Sequence, residues 1–345
     1  MFHLNIGQPD LPTPQVAIDA IRNIDRKVLE YSPSAGYRSY REKLVGYYEK
    51  YNIHLTADDI IVTSGGSEAV LFSFMACLNP GDEIIVPEPA YANYMAFAIS
   101  AGAKIRTIAT TIEEGFSLPK VEKFEELINE RTRAILICNP NNPTGSLITP
   151  DKLKTILTHC KETNTYVMID ETYIEFVPDV DELSAIPLTE LFDNVIILRG
   201  TSKFFATPGL RLGYAITSNS QILTDINTNK NPWMINSLAV VAGETMFLDE
   251  EYIDKTRSLI LSEKTRCRQL IDKSHKFKLY PSYSNFYLLK ILDEGVDAHM
   301  LFERAIRQGM MIRYCSTFPG LEERFIRFCI MKPEDNTRLI NCLTQ

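Results

Sequence analysis

Short apolar runs alternate with longer amphipathic stretches through the middle of the chain. Runs at residues 59–63, 83–87, 134–138, 166–170 and 194–198 have the length and the β-branched content that are typical of strands. Four of these runs are almost continuously apolar, as expected for strands that are buried on both faces. Helix-like segments such as residues 150–161 separate several of them. The pattern predicts an α/β fold in which helices cover a largely parallel sheet.

The pattern changes near residue 236. A long helical stretch comes first, and mixed strand-like and helix-like segments follow it. In chain order the segments are 238–273 (helix), 278–280 (strand), 285–289 (strand), 297–308 (helix), 311–313 (strand) and 325–329 (strand). We therefore expect a large domain at residues 26–235 and a smaller α+β domain at residues 236–345.

Composition and charge disfavour several classes of protein. The formal net charge is −8 and no dense run of Lys or Arg occurs, which disfavours binding to nucleic acid. The most apolar stretch, residues 69–78, is much shorter than the ~20 residues that span a bilayer. The N-terminus also lacks the pattern of a signal peptide. We expect a cytoplasmic protein that does not bind membranes.

The cysteines and histidines indicate neither a disulfide framework nor a metal site. Seven cysteines form an odd, scattered set without a CxxC pair, which fits a reducing compartment. The five histidines have no partner at the spacing of metal ligands. Candidate chemistry must therefore come from other residues.

A lysine and an arginine follow the last apolar run of the large domain. Lys203 lies in residues 199–205 (RGTSKFF), and by itself it could be structural. Arg211 comes eight positions later in residues 208–214 (PGLRLGY), where the flanking glycines allow close approach of the backbone. A planar guanidinium can donate two parallel hydrogen bonds to a phosphate. Arg211 is therefore a candidate phosphate ligand.

Further candidate residues lie at the ends of other predicted strands. Asp170 ends a buried run, where an unpaired carboxylate would be costly, so it needs a hydrogen-bonding or cationic partner such as a protonated pyridine nitrogen. Residues 64–69 (SGGSEA) lie at a strand-to-helix junction, where free N–H groups favour phosphate. Residues 139–145 (NPNNPTG) could be a plain turn, and Tyr91 could be either a packing residue or a stacking ring.

Taken in order, these motifs resemble the fold-type I pyridoxal-phosphate enzymes, specifically the class I and II aminotransferase family. The resemblance covers almost the whole chain, from the glycine loop and the aromatic residue through NPNNPTG, DETY, SK and GLRLGY. It implies a mostly parallel seven-stranded sheet covered by helices, with a smaller α+β C-terminal domain. It also implies that residues 1–25 join the smaller domain and that pyridoxal 5′-phosphate binds in the large one.

The resemblance assigns roles around the cofactor. Lys203 would hold pyridoxal phosphate as a Schiff base and would move the proton between the substrate Cα and the cofactor carbon. Asp170 would keep the pyridine nitrogen protonated, which makes the ring an electron sink. Asn142 and Tyr173 would hydrogen-bond the ring oxygen. The phosphate ligands and the stacking ring would be Gly66, Ser67, Ser202, Arg211 and Tyr91.

Other matches concern the substrate. Arg327 matches the arginine that receives the substrate α-carboxylate, and Arg313 matches one near a second anionic end, although either could be a surface residue. In relatives, Asn285 and the opening segment 6–9 (IGQP), which contains Gly7, line the same pocket. Two convergent guanidinium groups would suit a substrate with a second anion.

The resemblance also bears on assembly. Tyr31, in residues 31–36 (YSPSAG), matches a tyrosine that reaches the phosphate of the neighbouring subunit, so a homodimer is implied. The chain begins almost directly at the IGQP segment, and we therefore expect it to lack the leading helical arm of many relatives. Gly200 stands where relatives commonly carry Ser or Thr, so we expect one phosphate hydrogen bond to be missing or replaced by water.

The resemblance divides along the chain, and two reactions stay open. Residues up to about 145 are most similar to aspartate aminotransferases, whereas segments 203–211, 232–236 and 313–321 are closer to histidinol-phosphate aminotransferases and threonine-phosphate decarboxylases. We predict an aminotransferase that exchanges an amino group between an amino acid and a 2-oxo acid. The alternative is a decarboxylase of a phosphoamino acid such as O-phosphothreonine. Lys203 and Asp170 disfavour a binding protein without catalysis.

Overall fold

A computed structural model describes residues 1–7 and 10–345 of the chain. In this part of the chain, strands β1 to β13 span Phe2–His3, Ile60–Thr63, Glu83–Glu88, Lys104–Ala109, Thr132–Cys138, Tyr166–Asp170, Val195–Gly200, Gly213–Ile216, Phe277–Leu279, Phe286–Ile291, Met310–Met311, Arg313–Tyr314 and Phe325–Cys329. Helices α1 to α12 span Gln15–Arg22, Arg38–Glu49, Gly66–Cys77, Tyr94–Ser100, Val121–Glu125, Pro150–Glu162, Val180–Leu183, Ser220–Asn229, Ser237–Met246, Glu250–Asp272, Ala298–Arg307 and Pro333–Thr344.

A seven-stranded sheet forms the centre of the large domain, in the order β2-β8-β7-β6-β5-β3-β4. β8 is antiparallel to its neighbours β2 and β7, and the other neighbouring strands are parallel. The five predicted apolar runs form β2, β3, β5, β6 and β7. The predicted fold class, a mostly parallel sheet covered by helices, is confirmed.

Alternating side chains of the central strands enter two different hydrophobic clusters. In β6, Val167 and Ile169 belong to one cluster, whereas Met168 belongs to the other. Ile197 and Ile196 of β7 divide in the same way. Since successive side chains of a strand point to opposite faces, both faces of the sheet are covered. This explains why the strand sequences are apolar without a polar alternation.

A smaller antiparallel sheet, in the order β12-β13-β10-β9, forms the second part of the molecule together with α10, α11 and α12. The predicted α+β character of the C-terminal part is therefore confirmed. The N-terminal strand β1 pairs in parallel with β11, with Phe2 opposite Met310 and His3 opposite Met311. The exact boundaries after residues 25 and 235 stay predictions.

Two predicted elements of the C-terminal part need correction. The helical stretch 238–273 is two helices, α9 and α10, because Asp249 caps the second one by accepting a hydrogen bond from the backbone N–H of Tyr252 at 3.0 Å. The predicted strand 311–313 is wrong as a single strand. Met310–Met311 pairs with β1 and Arg313–Tyr314 pairs with β13, so the chain changes sheets at Ile312.

The carboxyl ends of parallel strands meet at one edge of the large sheet, where ligands of such folds commonly bind. β6 ends at Asp170, and β7 ends at Gly200, three residues before Lys203. β5 ends at Cys138, directly before the NPNNPTG segment. The fold therefore brings together motifs that are far apart in sequence.

Candidate active site

A cavity of about 420 Å³ lies at this edge, between the large sheet and the smaller antiparallel sheet. The predicted site residues that line it are Gly66, Ser67, Tyr91, Asn142, Asp170, Tyr173, Ser202, Lys203, Arg211, Arg313 and Arg327. Gly7 and Tyr31 are not among the lining residues. The cavity therefore unites residues from both parts of the fold.

Hydrogen-bond donors line one end of the cavity, which we call the anion cradle because such donors favour a negative charge. Helix α3 begins there at Gly66, so its first backbone N–H groups have no partner within the helix and carry the positive end of the helix dipole. The side chain of Arg211 lies beside this helix start, held by hydrogen bonds to the carbonyl oxygens of Pro208 at 2.9 Å and Ser64 at 3.4 Å. Ser67 and Ser202 complete the wall with their hydroxyls.

Glycines make the close packing of this cradle possible. Gly65 has a φ of +87°, and a Cβ atom there would lie 2.4 Å from Nη2 of Arg211. A Cβ on Gly213 would lie 2.5 Å from the carbonyl carbon of Gly65, so β8 can approach the glycine loop only with glycine at that position. At Gly200, by contrast, a Cβ would lie 3.5 Å from the nitrogen of Gly66, which is ordinary van der Waals contact. The structure therefore has space for a Cβ atom at position 200, where relatives commonly carry Ser or Thr.

Asp170 is buried at the end of β6, with 8% of its surface exposed. Its Oδ1 accepts hydrogen bonds from the backbone N–H of Thr172 at 3.0 Å and from the hydroxyl of Thr172 at 2.6 Å. Its Oδ2 accepts one from the hydroxyl of Tyr94 at 2.7 Å. A buried carboxylate needs such partners, and these three donors meet that need without a cation.

Lys203 projects into the same cavity and is partly buried. Its Nζ donates a hydrogen bond to the carbonyl oxygen of Ile6 at 3.0 Å. Burial lowers the pKa of Lys203, since desolvation disfavours the charged amine, and the nearby charges of Arg327 and Arg211 act in the same direction. The neutral, nucleophilic form of the amine is therefore more populated than in an exposed lysine.

Arg327 links the two parts of the fold across the cavity. It is 4% exposed, and its guanidinium lies 4.8 Å from the ring centroid of Phe286. One terminal nitrogen donates to Oδ1 of Asn142, and the other donates to the carbonyl oxygen of Asn5 at 2.6 Å. The surface-residue alternative for Arg327 is therefore wrong. The amide orientation of Asn142 is set by this contact.

Two further residues complete this side of the cavity. Tyr173 is buried, and burial raises the pKa of its phenol despite the opposing charge of Arg327, so the group stays a protonated hydrogen-bond donor. Arg313 is partly exposed and donates to the hydroxyl of Thr317 at 2.9 Å, with its guanidinium 5.1 Å from the ring centroid of Phe318. Arg313 lines the cavity, so it is not a residue that faces only solvent.

The N-terminal segment lies over the catalytic candidates. A Cβ on Gly7 would lie 3.0 Å from the Tyr173 hydroxyl and 3.6 Å from Nζ of Lys203. The side-chain amide of Asn285 donates to the carbonyl oxygen of Gly7 at 3.3 Å. Gln8 and Pro9, the remaining residues of the predicted opening segment, lie outside the described residues.

Tyr31 lies on the surface of the chain, away from the cavity. It is 80% exposed, and its ring packs against Trp233, which is 57% exposed, with 4.9 Å between ring centroids. Within one chain it therefore does not reach the anion cradle. Its predicted role in a neighbouring subunit stays a prediction.

The sequence prediction missed several residues of the site. Tyr94, Thr172, Asn5 and Phe318 contact predicted site residues or line the cavity. Thr172 offered a signal, because a hydroxyl two residues after a strand-terminal carboxylate commonly bonds it. Tyr94 offered a weaker one, since it follows Tyr91 by about one helical turn.

Within residues 1–7 and 10–345, no group of three or more His, Cys, Asp or Glu side chains is arranged to hold a metal ion. The helices described there include none that is both long and apolar enough to cross a membrane.

Comparison with known proteins identifies the family. The family profile for aminotransferase class I and II matches residues 1–343. The threonine-phosphate decarboxylase of Salmonella typhimurium is 30% identical over 342 residues, covering 99% of this chain and 89% of that protein. The aspartate aminotransferase of Thermotoga maritima is 31% identical over 263 residues, covering 74% of this chain and 69% of that protein.

The fold agrees with solved structures. The histidinol-phosphate aminotransferase from Clostridium acetobutylicum superposes with a TM-score of 0.87 at 26% identity, covering 100% of this chain and 98% of that chain. The chain therefore belongs to the aminotransferase class I and II family and is a pyridoxal-phosphate-dependent enzyme of that family.

Proposed function

We propose that this enzyme is an aminotransferase that exchanges an amino group between an amino acid and a 2-oxo acid. One observation carries the proposal. A lysine amine, a buried carboxylate and an anion-binding helix start converge in a single cavity of about 420 Å³, with a buried arginine on the opposite wall. Lys203, Asp170, Arg211 and Arg327 are the residues concerned.

Pyridoxal phosphate fits the residues that line this cavity. The start of α3 and Arg211 offer donors for a phosphate dianion, and the absence of a Cβ at Gly65 lets Arg211 lie against that helix start. Asp170 offers an acceptor to a protonated ring nitrogen, and Tyr91 offers a ring face. When bound, pyridoxal phosphate supplies an electron sink that stabilises negative charge at the substrate Cα.

Lys203 would have two tasks. Its Nζ would hold the cofactor covalently, and once displaced by the substrate amine it would accept a proton from Cα and return it to the cofactor carbon. The lowered pKa of Lys203 favours the neutral amine that accepts this proton. The carbonyl oxygen of Ile6 gives the free amine a partner inside the cavity.

Asn142 and Tyr173 would bind the ring oxygen of the cofactor. Because Oδ1 of Asn142 accepts from Arg327, its amide N–H groups are available to another acceptor. Tyr173 stays protonated and can donate as well, since burial raises its pKa. The hydrogen bond from Arg327 to Asn142 would connect the residue that binds the ring oxygen with the residue that binds the substrate carboxylate.

The position of the substrate carboxylate decides the reaction. The bound cofactor would supply the electron sink for whichever bond at Cα breaks, so the residues that hold the carboxylate would select that bond. We propose that Arg327 would bind the substrate α-carboxylate and so direct the Cα–H bond towards Lys203, which favours transamination.

Decarboxylation of a phosphoamino acid is the second candidate. Arg313 lies directly opposite Arg327 on the neighbouring strand, so two arginines are available to a substrate with two anionic groups. The similar protein from Salmonella typhimurium is a threonine-phosphate decarboxylase. If an arginine held the substrate phosphate in place of the carboxylate, the carboxylate would be left unclamped and could be the group that is lost.

We also propose a homodimer in which Tyr31 reaches the anion cradle of the partner subunit. The exposed pair of Tyr31 and Trp233 supports this, together with the exposed side chains of Val28 and Leu29 nearby in sequence. A cluster of large apolar side chains on the surface commonly marks an interface.

Product analysis tests the proposed reaction. The cofactor-loaded enzyme is incubated with a panel of amino acids and phosphoamino acids and an acceptor 2-oxo acid, and new 2-oxo acid and released carbon dioxide are measured for each. We expect 2-oxo acid without carbon dioxide, and neither product from Lys203→Ala. Stoichiometric carbon dioxide from a phosphoamino acid would instead establish the decarboxylase.

A further inference from the structure

The carboxylate of Asp170 is held by three hydrogen bonds from two neighbouring residues. Thr172 donates two hydrogen bonds to Oδ1, and Tyr94 donates one to Oδ2 at 2.7 Å. A carboxylate offers about four lone-pair positions, so these donors leave about one for a group in the cavity. The direction of that free lone pair depends on how Thr172 and Tyr94 hold the carboxylate.

Tyr94 contacts two residues that are predicted to contact the cofactor, Asp170 and Tyr91. It is 2% exposed and begins helix α4. Besides its hydrogen bond to Asp170, its ring packs edge-on against the ring of Tyr91, with 5.4 Å between centroids and 87° between planes. Burial raises the pKa of Tyr94 well above its ordinary value, and the charge of Asp170 adds to this effect. The phenol therefore stays a donor across the working range of pH.

We propose that Tyr94 is a positioning residue that fixes the plane of the Asp170 carboxylate and the orientation of the Tyr91 ring. The inference rests on the proposed role of Asp170 as the partner of the ring nitrogen. A hydrogen bond donated to a carboxylate stabilises its charged form. When pyridoxal phosphate is bound, Tyr94 would therefore help Asp170 to stay charged and to partner a protonated ring nitrogen.

Tyr94→Phe removes the hydroxyl and keeps the ring, and Tyr40→Phe is the matched control. Tyr40 is fully buried, and its hydroxyl has no hydrogen-bond partner among the described residues, so its loss reports on a buried hydroxyl alone. Both substitutions are made in the wild-type enzyme and in Asp170→Ala. Thermal unfolding checks that all variants fold.

Three properties of the cofactor-loaded variants are measured: kcat and KM, the pH titration of the cofactor absorbance, and the dissociation constant of pyridoxal phosphate. We expect Tyr94→Phe to lower kcat roughly ten- to a hundred-fold with little change in KM, the order of one hydrogen bond to a charged group. The absorbance titration should shift as well. Tyr40→Phe should change neither kcat nor the absorbance titration. In Asp170→Ala, the substitution of Tyr94 should cause no further loss of kcat.

The outcomes separate this inference from the proposed function. Equal behaviour of Tyr94→Phe and Tyr40→Phe would overturn the inference alone, as would an equal loss with and without Asp170. An Asp170→Ala enzyme with unchanged kcat and titration would contradict the role of Asp170 and would remove the inference with it.

Discussion

Arg313 and Arg327 lie directly opposite each other on the antiparallel strands β12 and β13. Paired residues of neighbouring strands project from the same face of the sheet, and both arginines line the cavity. Their surroundings differ. Arg327 is buried and bonded to Asn142 and Asn5, whereas Arg313 is partly exposed and bonded to Thr317. In the proposed function, Arg327 would therefore be the fixed anion site, and Arg313 would be the more adjustable one.

This difference predicts a selective effect of Arg313→Ala. We expect kcat/KM to fall roughly ten- to a hundred-fold for amino acids with a phosphate or carboxylate side chain, the order of a hydrogen bond to a charged group. Alanine and aromatic amino acids should be almost unaffected. Arg307→Ala, an exposed arginine of α11 outside the cavity, is the control. An equal loss of kcat/KM for every substrate, or no loss for any, would show that Arg313 does not bind the side-chain anion of the substrate.

A second prediction concerns the glycine beside Arg211. Gly65 and Gly81 both have positive φ, at +87° and +91°, so alanine at either position is strained and costs roughly 1–3 kcal/mol of folding stability. Only at Gly65 does the new methyl group meet Arg211, since a Cβ at Gly81 has no atom within 4 Å. We expect Gly65→Ala to weaken pyridoxal phosphate binding at least about ten-fold and Gly81→Ala to leave it unchanged. Equal dissociation constants for the two variants would contradict the proposal that the phosphate binds at Arg211 and the start of α3.

The lowered pKa of Lys203 predicts a pH dependence for the enzyme without cofactor. Burial disfavours the ammonium form, so the reactive neutral amine is present at lower pH than in an exposed lysine. The rate of covalent attachment of pyridoxal phosphate should rise with pH and reach half of its maximum below pH 10.5, the value for an ordinary lysine. Stopped-flow absorbance at a series of pH values measures this rate. A midpoint at or above 10.5 would show that the amine is not desolvated.

The proposed trans role of Tyr31 predicts complementation between two defective variants. Tyr31→Ala lacks the donated tyrosine, and Lys203→Ala lacks the lysine. A mixed dimer contains one complete site, so mixing the two variants after subunit exchange should restore up to about a quarter of wild-type activity. Activity is measured at limiting cofactor, with each variant alone as the control. No gain on mixing, from chains shown to exchange, would place Tyr31 outside the partner's site.

Much of the fold could be predicted because the central strands are buried on both faces and are therefore almost continuously apolar. The pattern does not predict β4 because it is an edge strand whose exposed and half-buried positions carry lysine, arginine and threonine, in the sequence KIRTIA. β8 was missed because it is four residues long and begins with glycine. The cytoplasmic location and the domain boundaries stay predictions from sequence alone.

The site also contains residues that the sequence could predict and contacts that it could not. Asp170 and Lys203 could be predicted as candidates because Asp170 ends β6 and Lys203 follows the end of β7, and parallel topology brings such ends to one edge of the sheet. The bond between Tyr94 and Asp170 joins residues 76 positions apart, and no local pattern encodes that contact. The bonds from Arg327 to Asn142 and Asn5 also depend on how the smaller sheet packs against the large one.

The central claim is that Lys203 carries the cofactor, and chemical trapping tests it most directly. The cofactor-loaded enzyme is reduced with borohydride, digested, and analysed by mass spectrometry for peptides that carry the reduced cofactor. The account predicts that Lys203 is the modified residue and that Lys203→Ala yields no modified peptide. Lys230 and Lys264 are informative internal controls, since burial lowers the pKa of each to about 8 although neither lines the cavity. Stoichiometric modification of either one, or of any lysine other than Lys203, would contradict the account.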